Sequence, residues 1–143
     1  MIKKHHLPEV DWFSATSTRI VIDSLQKEGT EVRFIGGCVR NSLARKPVTD
    51  IDIATPDRPE RVIELLSLAG IKSLPTGVQH GTIKAIVGRS SFDITTLRRD
   101  AETYGRQAKV VFCDNWLEDA KRRDFTINAI SASPSGAIFD PFG

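Results

Sequence analysis

Two adjacent glycines directly after a short apolar run, in Val32-Arg33-Phe34-Ile35-Gly36-Gly37, constrain this chain more than any other feature. The run has the length of a buried strand. The glycines permit a sharp reversal close to other backbone, and the residues after them, Cys38 to about Arg45, have helical character until Pro47 forbids continuation. A strand, a glycine turn and a helix are therefore expected over Val32–Arg45. The unpaired amides at such a helix start face outward with a dipole that favours phosphate. An ordinary tight turn would use the same residues, so the turn alone does not decide function.

The next segment, Val48 to Ala54, alternates Val48, Asp50, Asp52 and Ala54 with Thr49, Ile51 and Ile53, which is strand periodicity. Asp50 and Asp52 fall on one face, their Cα atoms about 6.6 to 6.8 Å apart by the rise of a strand. Carboxylates so placed can hold hard cations such as magnesium, and paired metals stabilise the attacking and departing oxygens in phosphoryl transfer. The plainer alternative is two acids on the wet side of a sheet. The opposite face bears on the choice, because Ile51 and Ile53 anchor the strand in a core.

Around these two elements the remaining pattern is α and β in mixed order. Ser14–Lys27 reads as an amphipathic helix with Ile20, Val21 and Leu25 on its apolar stripe, stopped by Gly29. Pro59 starts a helix running over Arg61–Ala69 to Gly70. Gly81–Val87 and Ser91–Leu97 form a hairpin turned by Gly88-Arg89-Ser90. Arg98–Lys109 is polar and reads as a loop, Asn115–Ser131 as a helix that breaks near Asp124, and Gly136–Asp140 as a last strand. The order predicts an α+β fold: a mixed, mostly antiparallel sheet with helices packed on one side.

Two further groups carry potential chemistry. Asp93 shares a strand face with Thr95, while Phe92 and Ile94 take the other. Beside the Asp50/Asp52 strand it would complete a metal site or accept a proton from an attacking hydroxyl; on an edge strand it would only guard against aggregation. In KRRDFTINAIS, Arg122, Arg123, Asp124 and Asn128 recur at helical spacing, suited to phosphate, ribose or base, or to a salt-bridged surface helix. Arg40, one helical turn past the glycines, suits a triphosphate or plain solvation. His80, like His5 and His6, reads as structural.

The rest of the composition narrows the setting. With 143 residues, 40% hydrophobic and 27% charged, the chain has the makeup of one globular domain. Cys38 and Cys113 make no disulfide framework and no zinc spacing. Apolar runs fall far short of the roughly 20 residues of a membrane span, and the N-terminus has no apolar signal core. A cytoplasmic location without membrane contact is expected. The net charge of +2 does not itself predict a nucleic-acid partner, although basic residues bunch at Arg40/Arg45/Lys46, Arg98/Arg99 and Lys121/Arg122/Arg123.

RFIGGCVRN, VTDIDIAT, HGTIKAIV, FDITTLRRD, RRDFTINAI and the closing IFDPFG together resemble the bacterial tRNA nucleotidyltransferase and poly(A) polymerase family, within the polymerase-β-like nucleotidyltransferase superfamily. The resemblance spans Val32–Gly143. It implies that Asp50 and Asp52 are the catalytic acids binding Mg²⁺, with Asp93 an acidic position on the facing strand. It implies that Gly36, Gly37 and Arg40 surround the triphosphate, and that Arg123, Asp124 and Asn128 contact the incoming nucleotide. ATP and CTP are the implied substrates and the 3′ end of an RNA, tRNA by resemblance, the implied acceptor. Addition of CCA is the leading expectation, with A addition, poly(A) synthesis or nucleotide binding without turnover as alternatives. The loop after TTLRRD is implied to be flexible and concerned with the primer end.

Two departures stand out. The family's usual aspartate in GGxVRD is Asn41 here. The second concerns extent: residues 1–143 read as the catalytic head alone, without the helical neck, body and tail of similar enzymes.

Overall fold

The computed structural model describes residues 6–8, 10–48, 50–77, 81–101, 109–121 and 129–140. Its first helices are α1 (Asp11–Ser14) and α2 (Thr16–Leu25). Along α2, Thr18, Val21, Ile22 and Leu25 are buried, the i, i+3, i+4, i+7 stripe of a helix with one apolar face. Ile20, expected on that stripe, is instead exposed, and Ile22 takes its place, because it lies one helical turn from Thr18 and Leu25.

Strand β1 (Arg33–Ile35) runs through the glycine turn into α3 (Gly37–Leu43), then β2 (Ile51–Thr55) and α4 (Pro59–Leu68) follow. Pro59 occupies the first turn of α4, where no amide is needed. The hairpin is β4 (Thr82–Val87) and β5 (Ser90–Thr96), turned by Gly88 and Arg89.

Three segments differ from expectation. Lys72–Gly77 is a strand, β3, despite Pro75; it sits at the edge of the sheet, where a residue without an amide hydrogen costs no ladder bond on the open side. Arg98–Ala101, expected within the loop Arg98–Lys109, is instead a strand, β6, paired with Lys109–Phe112, β7. The expected helix Asn115–Ser131 holds over α5 (Trp116–Lys121), but Ser131–Ala132 is a strand, β8, hydrogen-bonded to β1 and to β9 (Ile138–Phe139). Small side chains at 131 and 132 give no apolar alternation to read.

The main sheet has seven strands in the order β3-β4-β5-β2-β1-β8-β9. Every pairing is antiparallel except β2 with β5. One face packs Phe34, Ile53, Ile83, Ala85, Phe92 and Ile94 against Val21, Ile22 and Leu25 of α2, Cys38 and Val39 of α3, and Val62 and Leu66 of α4. The expected α+β architecture, mixed and mostly antiparallel with its long helices on one side, is present. Short α5 covers the other face, where Trp116 packs on Ile35, Ala54 and Leu97. Among the described residues no helix is long and apolar enough to cross a membrane.

Candidate active site

Strand pairing sets one row of side chains across the face opposite the main core. Ile35 of β1 is level with Asp52, Asp52 with Asp93 of β5, and Asp93 with Lys84 of β4. Residues opposite one another in a sheet share a face, and neighbouring strands lie about 4.8 Å apart. Asp52 and Asp93, far apart in sequence, are therefore neighbours. Asp50 is exposed and lies just before the first residue of β2.

The glycine turn meets this row at Asp52. Gly36 has φ +72° and ψ −143°, a conformation open almost only to glycine, and it precedes the first turn of α3. A β-carbon built on Gly36 would lie 3.3 Å from Asp52 Oδ2, and one on Gly37 would lie 3.2 Å from a terminal guanidinium nitrogen of Arg40. The turn thus brings bare backbone to a carboxylate on one side and to an arginine on the other. Of the two acids, it is Asp52 whose carboxylate lies beside the diglycine bend.

Beneath the turn lies Cys38, to which the sequence alone assigns no role. Its thiol donates to the Ile35 carbonyl at 3.2 Å, and its sulfur is 3.9 Å from the Asp52 carbonyl oxygen. Burial pushes the Cys38 thiol up to about 11, and the nearby negative charge of Asp52 acts in the same direction. Asn41, the departure from the family's aspartate, uses both ends of its amide. Its Oδ1 accepts from Arg40 Nε at 3.3 Å and its Nδ2 donates to the Pro47 carbonyl at 2.9 Å. That clasp ties α3 to the loop leading into Asp50.

Asp93 is not an edge residue, since β5 lies between β4 and β2. This removes the aggregation-guard reading. Its Oδ1 accepts from Lys84 Nζ at 2.9 Å, and both side chains are about one-third exposed (35% and 31%). Sequence reasoning misses Lys84, although Ile83 and Ala85 are buried and so turn it onto the acid face. Among the described residues no three His, Cys, Asp or Glu side chains converge as a metal site. Arg123, Asp124 and Asn128, with Arg122, lie outside the described residues, as does His80.

Beside the row opens a cavity of about 430 Å³, whose lining includes Arg33, Ile35, Trp116, Asp119, Ser131 and Phe139. The Arg33 guanidinium lies 4.3 Å from the centre of Trp116 and 3.8 Å from that of Phe139, and pairs with Glu31 at 2.8 Å. Ile35 is the wall the cavity shares with the row; Asp52 and Asp93 do not line it.

The hairpin β6–β7 is fastened beside this face. Cys113 N donates to the Leu97 carbonyl at 2.8 Å, and Leu97 N to that of Thr55 at 2.9 Å. The Phe112 ring sits on Gly81, at φ +85°, where a β-carbon would lie 2.6 Å from Cε1.

The CCA-adding enzyme of Lactobacillus delbrueckii subsp. bulgaricus is 44% identical over 129 residues, 89% of this chain and 32% of the relative. That of Anoxybacillus flavithermus is 41% identical over 125 residues, 86% of this chain and 30% of the relative. The chain thus spans about a third of the length of these relatives. Among solved structures, the CCA-adding enzyme of Bacillus stearothermophilus in complex with CTP superposes with a TM-score of 0.74 at 36% identity, over 86% of this chain and 28% of that one. A tRNA nucleotidyltransferase complexed with a primer tRNA and an incoming ATP analog gives 0.65 at 31% identity, over 87% and 34%. Residues 32–143 match the Poly A polymerase head domain, and the chain belongs to that family.

Proposed function

We propose that this chain is the catalytic head of a nucleotidyltransferase that adds CMP and AMP, from CTP and ATP, to the 3′ end of tRNA. The observation that carries this reading is the contact of the Asp52 carboxylate with the Gly36 turn, in register with Asp93. A phosphate held on the amides of that turn would lie within reach of the acids, and no other described part of the chain offers carboxylates beside a glycine-opened helix start. The names of its relatives, one with CTP and one with a primer tRNA, support the choice of substrates.

In this reading Asp50 and Asp52 hold Mg²⁺, their hard oxygens matching its preference. Bound there, the ions would neutralise charge developing on the attacking and leaving oxygens. Gly36 and Gly37 present backbone to the triphosphate, and Arg40 provides a planar cation against its oxygens. Asp93, level with Asp52, stands where it can accept the proton of the RNA 3′ hydroxyl as that oxygen forms its bond to the α-phosphorus and pyrophosphate departs. Arg123, Asp124 and Asn128 are proposed to contact the incoming nucleotide, on sequence resemblance alone.

Incorporation of labelled CMP and AMP onto tRNA lacking its 3′ CCA tests the assignment in the complete enzyme. Asp50→Ala and Asp52→Ala should each lower incorporation by at least about a hundredfold, the scale of losing a main electrostatic element. Full incorporation by either variant refutes it. Products made with all four triphosphates present distinguish CCA addition from A addition or poly(A) synthesis.

A further inference from the structure

Resting on the reading that Asp50 and Asp52 hold a divalent cation, we propose that Lys84 is a positioning residue that keeps Asp93 out of the cation's ligand set. The row places three charged side chains in sequence across neighbouring strands: Asp52, Asp93 and Lys84. Two carboxylates level on adjacent strands repel each other and together form a natural trap for a cation. Lys84 answers the outer one. Its ammonium donates to Asp93 Oδ1 at 2.9 Å, and no three-carboxylate group converges among the described residues.

A third permanent carboxylate ligand would tighten the cation and commit Asp93 to it. The ion pair with Lys84 holds Asp93 turned toward β4, so the cation binds loosely and the carboxylate stays available to an entering hydroxyl. The pair is only one-third exposed, so it is screened less than a surface pair. Lys84 acts through Asp93 and touches no reacting atom.

The test is a charge cycle read by Mn²⁺ binding to the full 143-residue chain, followed by loss of the free-ion paramagnetic resonance signal. Lys84→Met should tighten Mn²⁺ on the order of tenfold, the scale of one carboxylate charge, that of the released Asp93, moving nearer the cation in partly solvated surroundings. Lys84→Arg should bind as the parent does. Asp93→Asn alone should weaken binding, and Lys84→Met with Asp93→Asn should bind as Asp93→Asn alone does, because Lys84 acts through Asp93. A purely structural Lys84 would move thermal stability without this pattern. Equal affinity in the parent and Lys84→Met, with binding still lost in Asp52→Asn, overturns the role of Lys84 and leaves the metal site standing. A gain in Lys84→Met that survives Asp93→Asn also overturns it. Absence of Mn²⁺ binding in every variant removes the metal reading and this inference together.

Discussion

Asp52 Oδ2 lies 3.3 Å from where a β-carbon on Gly36 would stand. The acid and the turn are thus one unit, and each restricts what can replace the other.

Gly36→Ala should therefore damage both stability and ligand binding. The left-handed φ of +72° with ψ −143° costs a side-chain-bearing residue about 1–3 kcal/mol, and the new methyl crowds Asp52 Oδ2. Urea unfolding should show the loss, and titration with Mg-ATP should show weaker binding even where the variant is fully folded.

At position 41 the amide is a clasp, so restoring the family's aspartate has a structural cost. Asn41→Asp removes the donor to the Pro47 carbonyl and sets a carboxylate against it. The variant should lose about 1 kcal/mol in urea unfolding, the scale of one hydrogen bond. Stability at or above that of the parent would show the clasp to be idle.

The Cys38 thiol makes the fold alkali-sensitive. Its folded value, raised by burial to about 11 from the ordinary 9.0, means that the unfolded chain loses this proton first as pH rises. The contribution is fully present below pH 9 and is lost as pH climbs through about 11. Roughly 2 kcal/mol should disappear over that window and be retained in Cys38→Ala, relative to its own value at about pH 8. Iodoacetamide at about pH 8 should label the half-buried Cys113 and spare Cys38 until the chain is denatured.

Gly81→Ala is expected to displace the β6–β7 hairpin. The substituted β-carbon would lie 2.6 Å from Phe112 Cε1 on a backbone at φ +85°, a conflict worth about 1–3 kcal/mol. Phe112→Leu in the same chain should recover part of that loss; if it adds to it, the ring and the glycine are not in conflict.

Much of this site is legible in the residues themselves. Gly36-Gly37 announces the turn, and the Ile51/Ile53 alternation fixes which face Asp52 takes. Pairing is the part that is not legible: nothing local in FDITTL says that β5 lies beside β2 and not at an edge, so Asp93 stays ambiguous between ligand and guard. Lys84 is invisible for the same reason, since its meaning comes from the strand next to it. Pro75 and Gly77 hide β3, because breakers are tolerated on an open edge and depleted elsewhere. The β6–β7 hairpin is hidden by its polar, charged sequence, its support coming from Leu97, Phe112 and Cys113 instead of from its own alternation.

The parallel register of β2 and β5 also dictates an order of events in the growing chain. Until Ser90–Thr96 has been synthesised, β2 has only β1 to bond with and its other flank is an open ladder, the kind of edge that recruits foreign strands. Closing it requires a long loop through α4, β3 and β4, a slow step for any chain. Between emergence of Asp52 and arrival of Asp93, a strand that ends in the middle of the finished sheet therefore has an unpaired flank, an edge prone to foreign pairing.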